Sequence, residues 1–160
     1  MKKIINPYLG MAEAEGYNCF ACAPHNEHGL HMEFYEDGDE VVCYWSPATH
    51  FQGWTDTLHG GIQATLIDET AGWVIARKMQ TSGMTTNLNI KYKRPIPTGE
   101  HVRLEIRACI CEMKRMFALM QASITVDGEV CTTAELTFYC FSKEKAKEEF
   151  HFLPYEVEGE

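Results

Sequence analysis

The sequence predicts an α+β chain in which one helix packs on an antiparallel sheet. Residues 59–79 are the only long helical candidate before the C-terminal tail, and four alternating segments follow, divided by turn signals such as Asp127-Gly128. Composition agrees: 160 residues with 45% hydrophobic and 23% charged side chains suit one good core and are too few for two.

The elements follow in order. Residues 1–29 read as an irregular N-terminal cover, punctuated by Pro7, Gly10, Gly16, Pro24 and Gly29. Segments 30–36 and 40–45 flank the turn Asp37-Gly38-Asp39, which makes 30–46 a hairpin. A loop over 47–57 leads into the helix. Strict alternation over 84–92 puts Met84, Thr86, Leu88, Ile90 and Tyr92 on one face, and Thr85, Asn87, Asn89 and Lys91 on the other. Pro95-Ile96-Pro97-Thr98-Gly99 ends that strand. Strands over 101–113, 116–126 and 129–141 complete a sheet of five to six strands. Residues 142–160 form a charged C-terminal tail, helical and solvated over 142–150. The whole of 1–160 is read as a single domain.

A net charge of −9 excludes a general nucleic-acid binder, which would show a basic footprint. No apolar run approaches the roughly 20 residues of a membrane helix. Met1-Lys2-Lys3 is not followed by the apolar stretch of a secretory signal. A cytoplasmic protein without membrane insertion is expected. Seven cysteines, an odd number, read as free buried thiols. Cys19-Phe20-Ala21-Cys22 precedes His25, His28 and His31 and invites a zinc reading, yet the spacing fits no strong zinc pattern and there is no second CxxC. A thioredoxin-like role would need a βαβ context. No metal is therefore expected.

The helix is the informative element. Ile62, Ala64, Leu66, Ile67, Ala71, Trp73, Val74, Ile75 and Ala76 spread around its wheel, so it is expected to be buried nearly all round, by the sheet or by a partner. Asp68 stands against that apolar background, and a carboxylate so placed suits a general base. Its neighbour Glu69 is read as lying at the wet edge of the helix. Gly60 and Gly61 follow His59 at the helix start, where the first N–H groups have no internal partner. Glycines there admit a ligand oxygen, as in an oxyanion hole, or serve capping and tight packing. Gly61 and Asp68 share a helix face but lie about 10 Å apart along the axis. One carbonyl cannot meet both on one helix. A site shared between two antiparallel helices of a dimer is expected, with the face bearing Thr85 turned to the partner.

Phe51-Gln52-Gly53, His59-Gly60-Gly61 and Ala64-Thr65-Leu66-Ile67-Asp68 together resemble the hotdog-fold acyl-CoA thioesterases. Met84-Thr85-Thr86-Asn87-Leu88-Asn89-Ile90 and Tyr92-Lys93-Arg94-Pro95-Ile96-Pro97 resemble the branch holding phenylacetyl-CoA-type bacterial and mammalian long-chain acyl-CoA thioesterases. The resemblance runs over about 18–141. It implies a hotdog fold, an antiparallel sheet wrapped around one central helix, and a homodimer or homotetramer. It places Asp68 on the family's catalytic carboxylate, as base or nucleophile. Gly60 falls on the N–H that polarises the thioester carbonyl, with Gly61 beside it. His59 falls on the motif histidine and Thr85 on a position that orients water. Some members carry an asparagine where this chain has Gly53, and Gln52 stands next to that position. Asn87, Lys93 and Arg94 are further substrate-binding candidates. Lys91, Lys93 and Arg94 form the best basic cluster for the phosphates of coenzyme A, with Lys114 and Arg115 a second. Phe51, Trp54, Trp73 and Met79 are candidates for the acyl pocket. Coenzyme A enters as part of the substrate, and no cofactor is implied. The alternative is a non-catalytic acyl-CoA or acyl-carrier-protein binding protein of the same fold. A segment like 19–31 also recurs in some bacterial hotdog proteins.

Overall fold

Period-2 alternation builds the sheet. The computed structural model describes residues 1–11 and 15–160, so the cover expected at 12–14 lies outside the described residues. Its strands are β1 (Lys2–Lys3), β2 (Phe34–Asp37), β3 (Glu40–Trp45), β4 (Gly83–Tyr92), β5 (Leu104–Lys114), β6 (Phe117–Val126) and β7 (Glu129–Cys140). They form one sheet in the order β1-β2-β3-β5-β6-β7-β4, and every neighbouring pair is antiparallel. On β5, buried Leu104, Ile106 and Ala108 alternate with the half-buried Glu105, Arg107 and Cys109. On β6, Ala118, Met120, Ala122 and Ile124 repeat the pattern. These inward rows pack on helix α1 (Gly60–Val74), which meets β3, β4, β5, β6 and β7.

Three differences from the sequence pattern have local causes. The sheet has seven strands rather than six, because two-residue β1 is too short to show any alternation. The first hairpin strand starts at Phe34 instead of 30, since His31 takes a left-handed backbone (φ 53°). Leu30 and Met32 instead bond back to the cover, donating to the carbonyls of Phe20 and Ala21 at 2.9 Å each. β5 starts at Leu104 because Gly99, at φ 134°, and Val102 close a turn ahead of it. The cysteines are all free, but not all buried: Cys111 is exposed, and Cys19 and Cys109 are part-buried.

The helix is buried on one side only. Leu66, Ile67, Ala71 and Val74 are inaccessible, and Trp73 stacks on Phe34 with ring centres 4.2 Å apart. Buried Gln63 is satisfied by the Thr132 hydroxyl, which donates to it at 2.5 Å. The opposite flank, through Gly61, Thr65, Asp68 and Gly72, stays open. Within one chain the sheet thus covers a single side of the helix, and the all-round burial expected from the sequence would need a partner on the open flank. α1 runs on into a wider π-type turn (Ile75–Met79), closed by Gln80 at φ 50°. Among the described residues no helix is long and apolar enough to cross a membrane.

The C-terminal residues do more than solvate. Ser142 caps α2 (Lys143–Phe150), accepting from the Lys145 N–H at 3.2 Å. Beyond it the chain returns: Val157 is buried beside Ile4, and Tyr155 meets Trp73 edge-on. Arg77, in the π turn, ties the ends together. It grips Glu36 through Nε at 2.9 Å and Nη2 at 3.2 Å, and donates to the Tyr155 carbonyl and to Glu160. Lys78 adds a 2.7 Å contact to Glu36.

These cations hold the Glu36 carboxyl down at about 2, with the Arg77 hydrogen bond the largest cause. A carboxylate with a depressed native pKa stabilises the fold above its unfolded pKa and loses that contribution as pH falls towards the native value. The Glu36 contribution is therefore complete above about pH 5 and disappears between there and pH 2, amounting to about 3 kcal/mol at most. Glu36→Gln is expected to lower stability at pH 7 by about 2 kcal/mol and to flatten the acid limb of a urea-midpoint-versus-pH curve. An unchanged acid limb would show that other carboxylates control it.

Candidate active site

The open flank of α1 collects the polar residues that its buried side excludes. Asp68 lies on it, half-buried. The Thr85 hydroxyl of β4 donates to Asp68 Oδ1 at 2.5 Å within the same chain. Thr85 therefore reaches the helix of its own chain instead of standing with Asn87 and Asn89. The cause is a β-bulge: Thr85 pairs with Phe138 but Asn87 with Thr137, so Thr86 is an extra residue. The bulge reverses the alternation. Thr85 now shares the helix side with Leu88 and Ile90, while Asn87 and Asn89 stand exposed on the other face.

The helix start is built from backbone. His59 precedes α1 with extended dihedrals, and its Nδ1 accepts the Gly61 N–H at 2.9 Å. The ring hydrogen of a neutral His59 then sits on Nε2. Ile62 and Gln63 donate to the His59 carbonyl. The Gly60 N–H has no acceptor among the described residues. So one free donor stands at the positive end of the helix, not two. A Cβ on Gly61 would lie 3.1 Å from His59 Nδ1, and one on Gly53 would lie 3.3 Å from His59 Cδ2. Packing around the histidine thus accounts for both glycines. Gly61→Ala is expected to push the ring off its cap at a cost of about 1 kcal/mol, read as a lower melting midpoint. An unshifted midpoint would mean that the cap is dispensable.

Tyr92 is a site residue that the sequence reading did not single out. Its hydroxyl donates to the Gly60 carbonyl at 2.8 Å, and a Gly60 Cβ would sit 3.4 Å from its ring. β4 therefore spans the site, with Thr85 at Asp68 and Tyr92 at Gly60. The bulge count would have been needed to see this from the sequence.

The remaining candidates scatter. Lys93 and Arg94 follow Tyr92 and are exposed at the helix N-terminal end, where both amides donate to the Cys131 carbonyl. The Arg94 guanidinium pairs with Glu129 at 2.8 Å, both well exposed. The Gln52 side chain folds into its own loop and accepts from the Asp56 N–H at 3.2 Å. Trp54 is 87% exposed in that loop, whereas Trp73 is core and Phe51 packs on Trp45. Glu69 is not at a wet edge. Its carboxylate accepts the Trp73 indole N–H at 3.0 Å beneath the N-terminal cover, and burial pushes its pKa up. Chemically, the flank offers a carboxylate steadied through one oxygen with the other free to take a proton. It also offers a lone amide suited to a developing oxyanion.

Residues 55–132 match the family model of the thioesterase superfamily. The chain is similar to the thioesterase superfamily over that stretch, just under half of its length. Its hotdog architecture recurs in a crystal structure described as a thioesterase superfamily protein, with a TM-score of 0.68 and 26% identity over 74% of this chain and 61% of that one. A hypothetical thioesterase protein from Streptococcus pneumoniae solved with coenzyme A has a TM-score of 0.64 and 21% identity, covering 69% of this chain and 89% of that one. In sequence, the acyl-coenzyme A thioesterase THEM4 of Rattus norvegicus is 32% identical over 123 residues. That alignment covers 74% of this chain and 53% of the relative, so the chain spans about half the length of such thioesterases.

Proposed function

We propose that the chain hydrolyses acyl-CoA thioesters to free acid and coenzyme A. The observation that carries this reading is the Asp68–Thr85 pair on the open flank of a helix whose first amide, at Gly60, is unpartnered. Thr85 fixes the carboxylate through Oδ1, and Oδ2 takes the proton of an attacking water or itself attacks the thioester carbon. The Gly60 N–H receives the carbonyl oxygen as charge develops on it. His59 and Gly61 hold that amide in place, and Tyr92 braces the Gly60 carbonyl from the other side. Thiolate is a good leaving group, so neither metal nor organic cofactor is required.

Gly60 and Asp68 of one helix are about 12 Å apart along its axis, too far for one carbonyl to span. We therefore place the site between two copies, with Gly60 of one chain against Asp68 of the other across antiparallel helices. A homodimer is then the smallest active unit, and pairing two dimers into a tetramer leaves the site unaltered. The open flank of small residues permits that approach. Lys93 and Arg94, at the same helix end as Gly60, suit the phosphates of coenzyme A. The name of the THEM4 relative supports coenzyme A as the thiol carrier.

The test is hydrolysis of a panel of short, medium, long and aryl acyl-CoA substrates. It is followed by loss of thioester absorbance, because seven cysteines would consume a thiol reagent. Turnover of at least one class supports the reading. Binding without turnover across the panel would leave an acyl-thioester binding protein instead.

A further inference from the structure

We propose that Cys19, Cys22 and Glu69 form a binding site for one thiophilic divalent ion, zinc above all, that pins the N-terminal cover to the central helix. The two sulfurs and a Glu69 carboxylate oxygen lie within 4.8 Å of one another. Cys19 Sγ is 3.7 Å from Glu69 Oε1, although the residues are 50 apart in sequence. Ligand atoms around one tetrahedral zinc, at about 2.3 Å for sulfur and 2.0 Å for oxygen, stand roughly 3.5–3.8 Å apart. The site needs only a small contraction.

Local structure prepares each ligand. The chain turns tightly between the cysteines, with the Ala23 N–H donating to the Cys19 carbonyl at 3.1 Å. The Cys22 N–H points at Cys19 Sγ at 3.2 Å, which orients that sulfur. Glu69 is held by the Trp73 indole through Oε1, the same oxygen that faces Cys19 Sγ. Trp73 acts as the outer partner that metal-binding carboxylates commonly have.

The charge balance also favours an ion. A sheltered carboxylate with one strong donor and two thiol neighbours is poorly compensated, because thiols are weak donors. A divalent cation between them would satisfy all three. Two sulfurs and one carboxylate select zinc or a similar ion over magnesium or calcium. Two of the nearby histidines are engaged elsewhere. His25 Nε2 bonds the Tyr17 carbonyl at 2.7 Å and His31 Nε2 the Asn26 carbonyl at 2.6 Å. The fourth position is then left to water. The CxxC spacing could not show this, since the third ligand comes from α1, one residue after Asp68. The proposal stands apart from the hydrolase reading, whose mechanism needs no metal.

Cobalt(II) titration of the full, reduced chain tests it. The expected result is a thiolate-to-cobalt charge-transfer band saturating at one ion per chain and displaced by zinc, with a higher melting midpoint in zinc. Cys19→Ser with Cys22→Ser should abolish the band, and Cys109→Ser with Cys131→Ser should leave it unchanged. Glu69→Gln keeps the shape and the Trp73 contact, so it guards against misfolding; it should weaken affinity at least about tenfold. No band in the reduced wild type overturns the proposal. So does a band that survives in the Cys19/Cys22 variant, or full affinity in Glu69→Gln.

Discussion

Asp68→Asn is expected to lower kcat/KM for the best acyl-CoA by about a thousandfold or more, equivalent to about 4 kcal/mol of transition-state stabilisation. The change is isosteric. The amide oxygen still accepts from the Thr85 hydroxyl, so the bulge and helix keep their contact and the melting midpoint should move by no more than about 2 °C. What disappears is the second carboxylate oxygen as base or nucleophile. Thr85→Val leaves that oxygen but frees the carboxylate to rotate, and about a tenfold loss in kcat is expected. Thr85→Ser should restore most of it, which a purely structural role for the methyl group would not predict. Single turnover in heavy-oxygen water probes the covalent route, because water that opens an Asp68 mixed anhydride at the Asp68 carboxyl carbon leaves solvent oxygen in that carboxylate, which general-base catalysis does not. Asp68→Asn with activity within about threefold of wild type would remove Asp68 from the chemistry.

The fold was readable where one face of an element is uniformly apolar. The helix, its stop near residue 79 and the last three strands follow from period alone, with ends shifted by only a few residues. The failures have physical causes. Thr85 and Asn87 look equivalent in an alternating strand, and only the extra residue at Thr86 separates them, a register fact that exists in the pairing with β7. Gly60 and Gly61 look equivalent in sequence, yet a histidine ring takes one amide and leaves the other. Glu69 looks solvated because its cover lies 50 residues earlier in the chain. In each case the deciding contact is long-range or depends on one rotamer. Asp68 stands out in the sequence because a carboxylate in an apolar helix needs a partner, and Thr85 supplies one from β4.

Leu66→Ala should give the opposite signature to Asp68→Asn. Leu66 is fully inaccessible and lies two residues before Asp68. At about 100° per residue the two side chains point to nearly opposite sides of α1, Leu66 into the sheet and Asp68 to the open flank. Truncation leaves a cavity in a close-packed layer, at an expected cost of about 3 kcal/mol. For a domain of this size that lowers the melting midpoint by roughly 10 °C. The helix itself retains its backbone bonds, and Thr85 still grips Asp68 from β4. Measured well below the new midpoint, kcat/KM should therefore stay within about threefold of wild type. The paired result would show that one helix carries two separable functions, holding the sheet with one side and presenting the chemistry with the other. Loss of activity in Leu66→Ala as deep as in Asp68→Asn would contradict that division. The position of the Asp68 carboxylate would then depend on core packing more than on its hydrogen bond to Thr85.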